Sequence, residues 1–175
     1  MFAQCGFHQA KVEEIAIRAG VGKGTVYEYF RSKSELFEEV LKEVHNRYLE
    51  ILGAELRSPL SCGQRINNLF QASFGFLKGH RETAQILLTD YPKPGKEFRQ
   101  CMLARQEELL SSLAGLVAEG VEKEEFRPLE PGAAAQVIYG VILAFGSQMV
   151  FGKGAVLRES IAKETSEILL KGLSR

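Results

Sequence analysis

Apolar positions recur at helical spacing along most of the chain. Val12, Ile15, Ala16 and Ala19 fall at i, i+3, i+4 and i+7, which predicts a short amphipathic helix ending at Gly20. Beyond Gly20-Val21-Gly22 a second short helix is predicted from Lys23 to Phe30, with Val26 and Phe30 on one stripe. Ser32 followed by Glu35 has the spacing of a capping box. It opens a long helix through Leu36, Val40 and Val44, flanked by Phe37, Leu41 and Tyr48, and Ser58-Pro59 ends it. Further helices are predicted at about Gln64 to Lys78, Arg81 to Thr89, Lys96 to Glu119, Gly132 to Phe151 and Leu157 to Leu173, punctuated by Pro92, Pro94, Pro128 and Pro131. No convincing β-alternation or internal repeat interrupts them. The expected fold class is therefore all-α, a small amino-terminal helical unit continuous with a larger helical body.

The segment Gly132 to Gly152 carries no charged residue and is just long enough to cross a bilayer. Gln136, Ser147 and Gln148 interrupt it, and Gly132, Gly140, Gly146 and Gly152 dilute it, so a buried bundle helix is predicted and no membrane contact. Its surface splits in two. Ala133, Val137, Gly140 and Ala144 make a small-residue stripe; Ala134, Ile138, Val141, Phe145 and Met149 make a bulkier one. Two apolar stripes imply two packing partners, of which another subunit is a natural candidate.

Composition narrows the function. Hydrophobic residues make up 45% of the 175, too many for a disordered chain, and 22 basic residues balance 22 acidic ones. Net neutrality excludes a protein that coats nucleic acid indiscriminately, so any such contact needs a local basic surface. Cys5, Cys62 and Cys101 lie far apart with no CxxC pair, which argues against a disulfide scaffold or zinc ribbon and fits a reducing, cytoplasmic setting. The first residues lack the basic and apolar regions of a signal peptide, and none is expected. His8, His45 and His80 are scattered, and no Ser-His-Asp or nucleophile-elbow pattern occurs, so no metal, cofactor or catalytic residue is expected. Gly22-Lys23-Gly24-Thr25 is similar to a phosphate loop, but the charged, helix-periodic residues before it are no buried strand.

Two short helices separated by a glycine-containing turn are the parts of a helix-turn-helix, in which the first helix braces a second that enters the DNA major groove. Val12, Ile15, Val21, Val26 and Phe30 would form the mutual core. Lys23, Gly24 and Thr25 would then lead the second helix. Gly24 removes a side chain where backbone and DNA approach, and Thr25 offers a hydroxyl and a methyl to a base edge. Tyr27 and Tyr29 can reach phosphates through their hydroxyls, and Lys33 can do so by charge at the start of the long helix.

Gly6-Phe7, Val12-Glu13-Glu14-Ile15-Ala16, Ala19 through Phe30 and Lys33-Ser34-Glu35-Leu36 together resemble the DNA-binding segment of the TetR family of transcriptional regulators. Gly120 to Pro128 followed by Ala133-Ala134-Ala135 is similar, more loosely, to the connection into that family's dimerisation helices. Two departures stand out. Ala10 occupies a place where the family usually has Thr or Ser, leaving Lys11 to supply charge for a phosphate, and Met1 to Cys5 resembles only the end of the family's first helix, which is therefore expected to be truncated. The resemblance implies a helix-turn-helix unit over residues 1–45 and an effector-binding and dimerisation unit over 46–175. It implies a homodimeric repressor that pairs through its last two helices, binds double-stranded operator DNA and is released by a small effector. Phe70, Phe74, Leu77, Leu87, Met102, Tyr139, Phe145 and Met149 would line the pocket, and their aromatic and thioether character suits an apolar effector. The competing reading is a helical ligand-binding protein or small enzyme that keeps the body but does not read DNA.

Overall fold

The computed structural model describes residues 1–82, 94–151 and 159–174, less the side chains at 145, 148–151, 159 and 160. Among the described residues the chain is all-α. Its helices are α1 (Phe2–Gln9), α2 (Val12–Arg18), α3 (Lys23–Tyr29), α4 (Lys33–Leu56), α5 (Cys62–Gly79), α6 (Lys96–Glu122), α7 (Pro131–Phe151) and α8 (Glu159–Leu173). The helix predicted at Arg81 to Thr89 lies, beyond its first two residues, outside the described ones. Phe126 and Ser174 make an isolated antiparallel bridge, and no helix among the described residues is long and apolar enough to cross a membrane.

Local sequence explains where the helices begin and stop. Gly20 adopts φ +71°, a left-handed conformation that glycine takes without strain. With it the Val21 N–H donates to the Ala16 carbonyl at 3.0 Å and the Gly20 N–H to that of Ile17 at 3.1 Å, a Schellman ending to α2. Ser32 Oγ accepts from the Glu35 N–H at 3.1 Å. The Glu35 carboxylate reaches one residue further back than a capping box requires, to the Arg31 N–H at 2.5 Å. Ser61 and Gln64 complete such a box at the start of α5.

Side chains from these helices build two cores. In the first, Phe2, Phe7, Ala10, Val12, Ala16 and Val26 surround Leu36, Phe37 and Leu41 of α4, and Phe98 of α6 closes the cluster. Phe37 is its centre, with the rings of Phe2 and Phe7 at 4.8 and 5.3 Å. Ala10 is buried, so its methyl fills the core where a hydroxyl would be out of place, and α2 begins at Val12 with Lys11 as a cap that makes no side-chain bond. Val21, expected in this core, is instead exposed, since its backbone is committed to ending α2 and its side chain turns outward. The second core joins Leu52 and Leu56 of α4, Ile66, Leu69, Phe70 and Phe74 of α5, Leu113, Leu116 and Val117 of α6, Ile138 of α7 and Ala162 of α8. Each buried aliphatic or aromatic side chain contributes on the order of 1.5–3 kcal/mol. Around this core Arg65 pairs with Glu119 at 2.8 Å, and Lys123 adds a second bond at 2.7 Å, which together hold the Glu119 carboxyl down at about 2. That contribution is complete above the ordinary carboxylate range and is lost as pH falls toward 2.

The bulkier stripe of α7 faces inward through Ala134 and Ile138, with Val141 half-buried, and Ala135 and Ile142 join it. The small-residue stripe of Ala133, Val137, Gly140 and Ala144 faces out, as does Ile168 of α8. Gly120 marks the tightest fit in the body, because a Cβ there would lie 2.2 Å from the buried Phe126 ring. A Gly120→Ala substitution is expected to cost at least about 1–3 kcal/mol in urea unfolding. The control Gly115→Ala, whose Cβ meets nothing within 4 Å, is expected to leave stability equal or slightly raised.

Candidate nucleic-acid interface and effector cavity

The short α3 buries a single residue, Val26, against the head core. Its other faces are available. Tyr29 is 76% exposed and Tyr27 45%, both following Val26 in sequence, with Thr25 half-buried just before it. A Cβ built on Gly24 meets nothing within 4 Å, so nothing in the fold itself excludes a side chain there. Lys11 and Lys23 stand at the start of α2 and α3 and are tied to acids of α2. Lys23 bonds Glu13, whose carboxyl is lowered by that bond and charge, while Lys11 lies 3.7 Å from Glu14.

Lys33 does more than stand at the head of α4. Its ammonium donates to the carbonyls of His8 at 3.1 Å and Ala10 at 3.0 Å, and it lies 4.8 Å from the centre of the Phe7 ring. Two of its three donors are thus spent on the open carbonyl end of α1, where a cation is favoured. Sequence reading anticipated a charge for phosphate and missed this clamp, whose partners lie 23 and 25 residues away. A second tie, between Arg18 and the Gln4 amide oxygen at 2.9 Å, joins α2 to α1.

Of the eight residues predicted to line an effector pocket, the five described do not all share one core. Phe70 and Phe74 lie in the body core, with Leu77 and Tyr139 half-buried against it, and burial raises the Tyr139 phenol. Met102 packs instead against the head core beside Phe98, because it sits too near the start of α6 to reach the body. Leu87 and the side chains of Phe145 and Met149 lie outside the described residues. Polar groups not anticipated from sequence stand close to these residues. Tyr48 donates to the fully buried Ser73 at 3.2 Å, and burial pushes its phenol up to about 12. The Phe76 ring lies 5.0 Å from that of Tyr48 and stacks on His80 at 4.0 Å. Between α4 and α6 a cavity of about 170 Å3 opens, lined by Leu49, Leu56 and Arg57 on one side and Arg105, Glu108 and Leu109 on the other. No group of three or more metal-ligating side chains occurs among the described residues.

Comparison with known proteins agrees with this geometry. Residues 1–40 match the family model for bacterial regulatory proteins of the tetR family. The chain is 24% identical over 174 residues to the fatty acid metabolism regulator protein of Bacillus subtilis, covering 99% of this chain and 90% of that protein. It is 32% identical over 134 residues to the transcriptional repressor KstR2 of Mycolicibacterium smegmatis, covering 73% and 63% of the two chains. Its fold superposes with a TM-score of 0.76 on the transcriptional regulator FadR of Bacillus subtilis solved with stearoyl-CoA, at 24% identity over 98% of this chain and 93% of that one.

Two substitutions test the geometry of the head. Gly24→Ala is expected to leave stability equal or raise it by up to about 1 kcal/mol, because the helix gains and no neighbour is displaced. Lys33→Ala is expected to cost about 1–2 kcal/mol by leaving the His8 and Ala10 carbonyls without their cation, read as an earlier thermal transition.

Proposed function

Because the chain belongs to the TetR family of transcriptional regulators, we propose that it is a ligand-responsive repressor that grips an operator as a homodimer and lets go when a small apolar effector binds. Proteins of this family are regulators, which sets aside the enzyme alternative. The observation that carries the reading is the surface of α3: one buried anchor, two exposed tyrosines and an unobstructed Gly24 on a short helix braced by α2. Residues 1–45 serve as the DNA-binding unit and 46–175 as the effector-binding and dimerisation unit, with Phe98 and Met102 of α6 lent to the former.

Each residue has a role. Gly24 lets the α3 backbone approach the groove, and Thr25 reads a base edge or a thymine methyl. Tyr27 and Tyr29 bond phosphates through their hydroxyls. Lys11 and Lys23 lend positive charge once phosphate competes with their acids, and Lys33 braces α1 with two donors while offering the third to the DNA backbone. The outward stripe of α7, where Val137 is 59% exposed, and Ile168 of α8, 72% exposed, pair with their copies across a twofold axis. That axis sets two α3 helices about 34 Å apart for successive major grooves. The protein acts in the cytoplasm, where operator DNA lies. The effector seats among Phe70, Phe74, Leu77 and Tyr139, together with Leu87, Phe145 and Met149. An apolar chain suits that lining, and the stearoyl-CoA held by the Bacillus subtilis FadR supports an effector of hydrocarbon character.

The experiment is binding to the DNA upstream of the chain's own gene. Thr25→Ala is expected to change sequence preference, costing about 1–3 kcal/mol on the best site only. Tyr27→Phe and Tyr29→Phe should weaken all sites alike, and Lys33→Ala should do so while reducing the salt dependence by about one charge. Unchanged affinity across the set would remove the interface. Val137→Glu is expected to convert a dimer into monomers by gel filtration and to abolish tight operator binding.

A further inference from the structure

Helices α4 and α6 lie side by side and each contributes to both cores, so each must cross the gap between them. On α4 that crossing falls between Leu41 of the head core and Leu49, which packs on the body core; His45 stands midway, one turn from either. On α6 it falls between Met102 and Leu109, and Arg105 stands there, again one turn from either. On faces that are otherwise hydrophobic, the waist of the molecule therefore carries an imidazole and a guanidinium.

Each has one nitrogen left open. Among the described residues, His45 Nε2 and Arg105 Nε are buried without a hydrogen-bond partner, as is Oδ1 of Asn46 beside His45 in sequence. No acid forms an ion pair with Arg105 among the described residues. Glu108 lines the same cavity one turn further along and makes no bond to it, and Arg57 adds a second guanidinium from the α4 side. A buried donor left open is costly, more so when charged, and in a native structure it calls for an explanation such as a bound ion or ligand. Burial, and then the positive charge of Arg105, hold the His45 imidazole below its ordinary value, while Arg105 and Arg57 bring two guanidinium charges to the cavity against the single carboxylate of Glu108. That cavity has apolar walls in Leu49, Leu56 and Leu109. Its volume, about 170 Å3, compares with cavities that admit a benzene-sized group.

We propose that this waist is a binding site for the anionic end of an amphipathic ligand: Arg105, with His45, receives a carboxylate or phosphate group while an apolar chain runs along the leucines between α4 and α6. The site is separate from the apolar lining of Phe70, Phe74, Leu77 and Tyr139 proposed above, and it rests on that function in one respect, that a ligand held here also governs release of the operator. A ligand there touches the two helices that carry both cores, so it bears on their spacing and on the head they support. The guanidinium's planar fork suits either oxyanion.

The test uses the whole chain and three probes with the same tail: decanoate, decanoyl-coenzyme A and the neutral decanol. Binding is measured by calorimetry for wild type, Arg105→Gln, Arg105→Lys and His45→Gln. We expect at least one anionic probe to bind wild type about tenfold or more tighter than decanol, and Arg105→Gln to remove that advantage without altering decanol affinity. Arg105→Lys should restore part of it. Preference for decanoate assigns the group to a carboxylate, and preference for the thioester assigns it to phosphate. His45→Gln carries the same expectation at about threefold and stands in if Arg105→Gln fails to fold. Anion affinity indifferent to these changes, decanol binding as well as the anions, or no binding by any probe would overturn the site. Operator binding by the ligand-free protein is measured in parallel. Its absence would sink the repressor while leaving the anion site standing, and an anion that binds without releasing operator would sever the site from regulation.

Discussion

Two helices hold the molecule together by belonging to both of its cores. Leu36, Phe37 and Leu41 of α4 lie in the head while Leu52 and Leu56 lie in the body, and α6 repeats the arrangement with Phe98 and Met102 against Leu109, Leu113 and Leu116. Close-packed interiors resist continuous deformation and shift between discrete arrangements. A change in how α4 and α6 meet in the body is therefore felt in the head, with no separate messenger. The Gly95 N–H, just ahead of α6, reinforces this by donating to Glu38 of α4 at 2.7 Å.

The head depends on smaller ties of the same kind. Its helices are too short to be stable alone, since helix formation in isolation is marginal below about 12–15 residues. They persist because Phe37 gathers the rings of Phe2 and Phe7 and because Lys33 stitches the end of α1 to the start of α4. A stiff head matters for reading DNA, because contacts to base edges reward only a helix already held at the right angle.

Much of this was legible in the sequence where the signal is local. Gly20 and Ser32 announced the ends of α2 and the start of α4, and the spacing of Val12, Ala16, Val26 and Leu36 gave the buried faces. What stayed hidden depends on partners distant in the chain. Periodicity puts Met102 on an apolar face but cannot say which core that face meets at a given height along a 27-residue helix. Lys33 looked like a spare charge because its carbonyl partners are invisible without the fold. That Arg105 stands near enough for its charge to act on His45 follows from the register of α4 against α6, which the sequence does not show. Val21 misled because a β-branched residue between two glycines looks like an anchor, whereas its backbone was the part in use.

The space above Gly24 has an evolutionary reading. Folding does not need glycine at that position: a methyl would displace no neighbour in the free protein, and a helix would favour it. On the proposed interface, what glycine offers at that position is room for the DNA rather than room within the fold. On that interface, the same freedom lets a duplicated copy alter its contact with DNA by one small substitution that displaces nothing in its own fold.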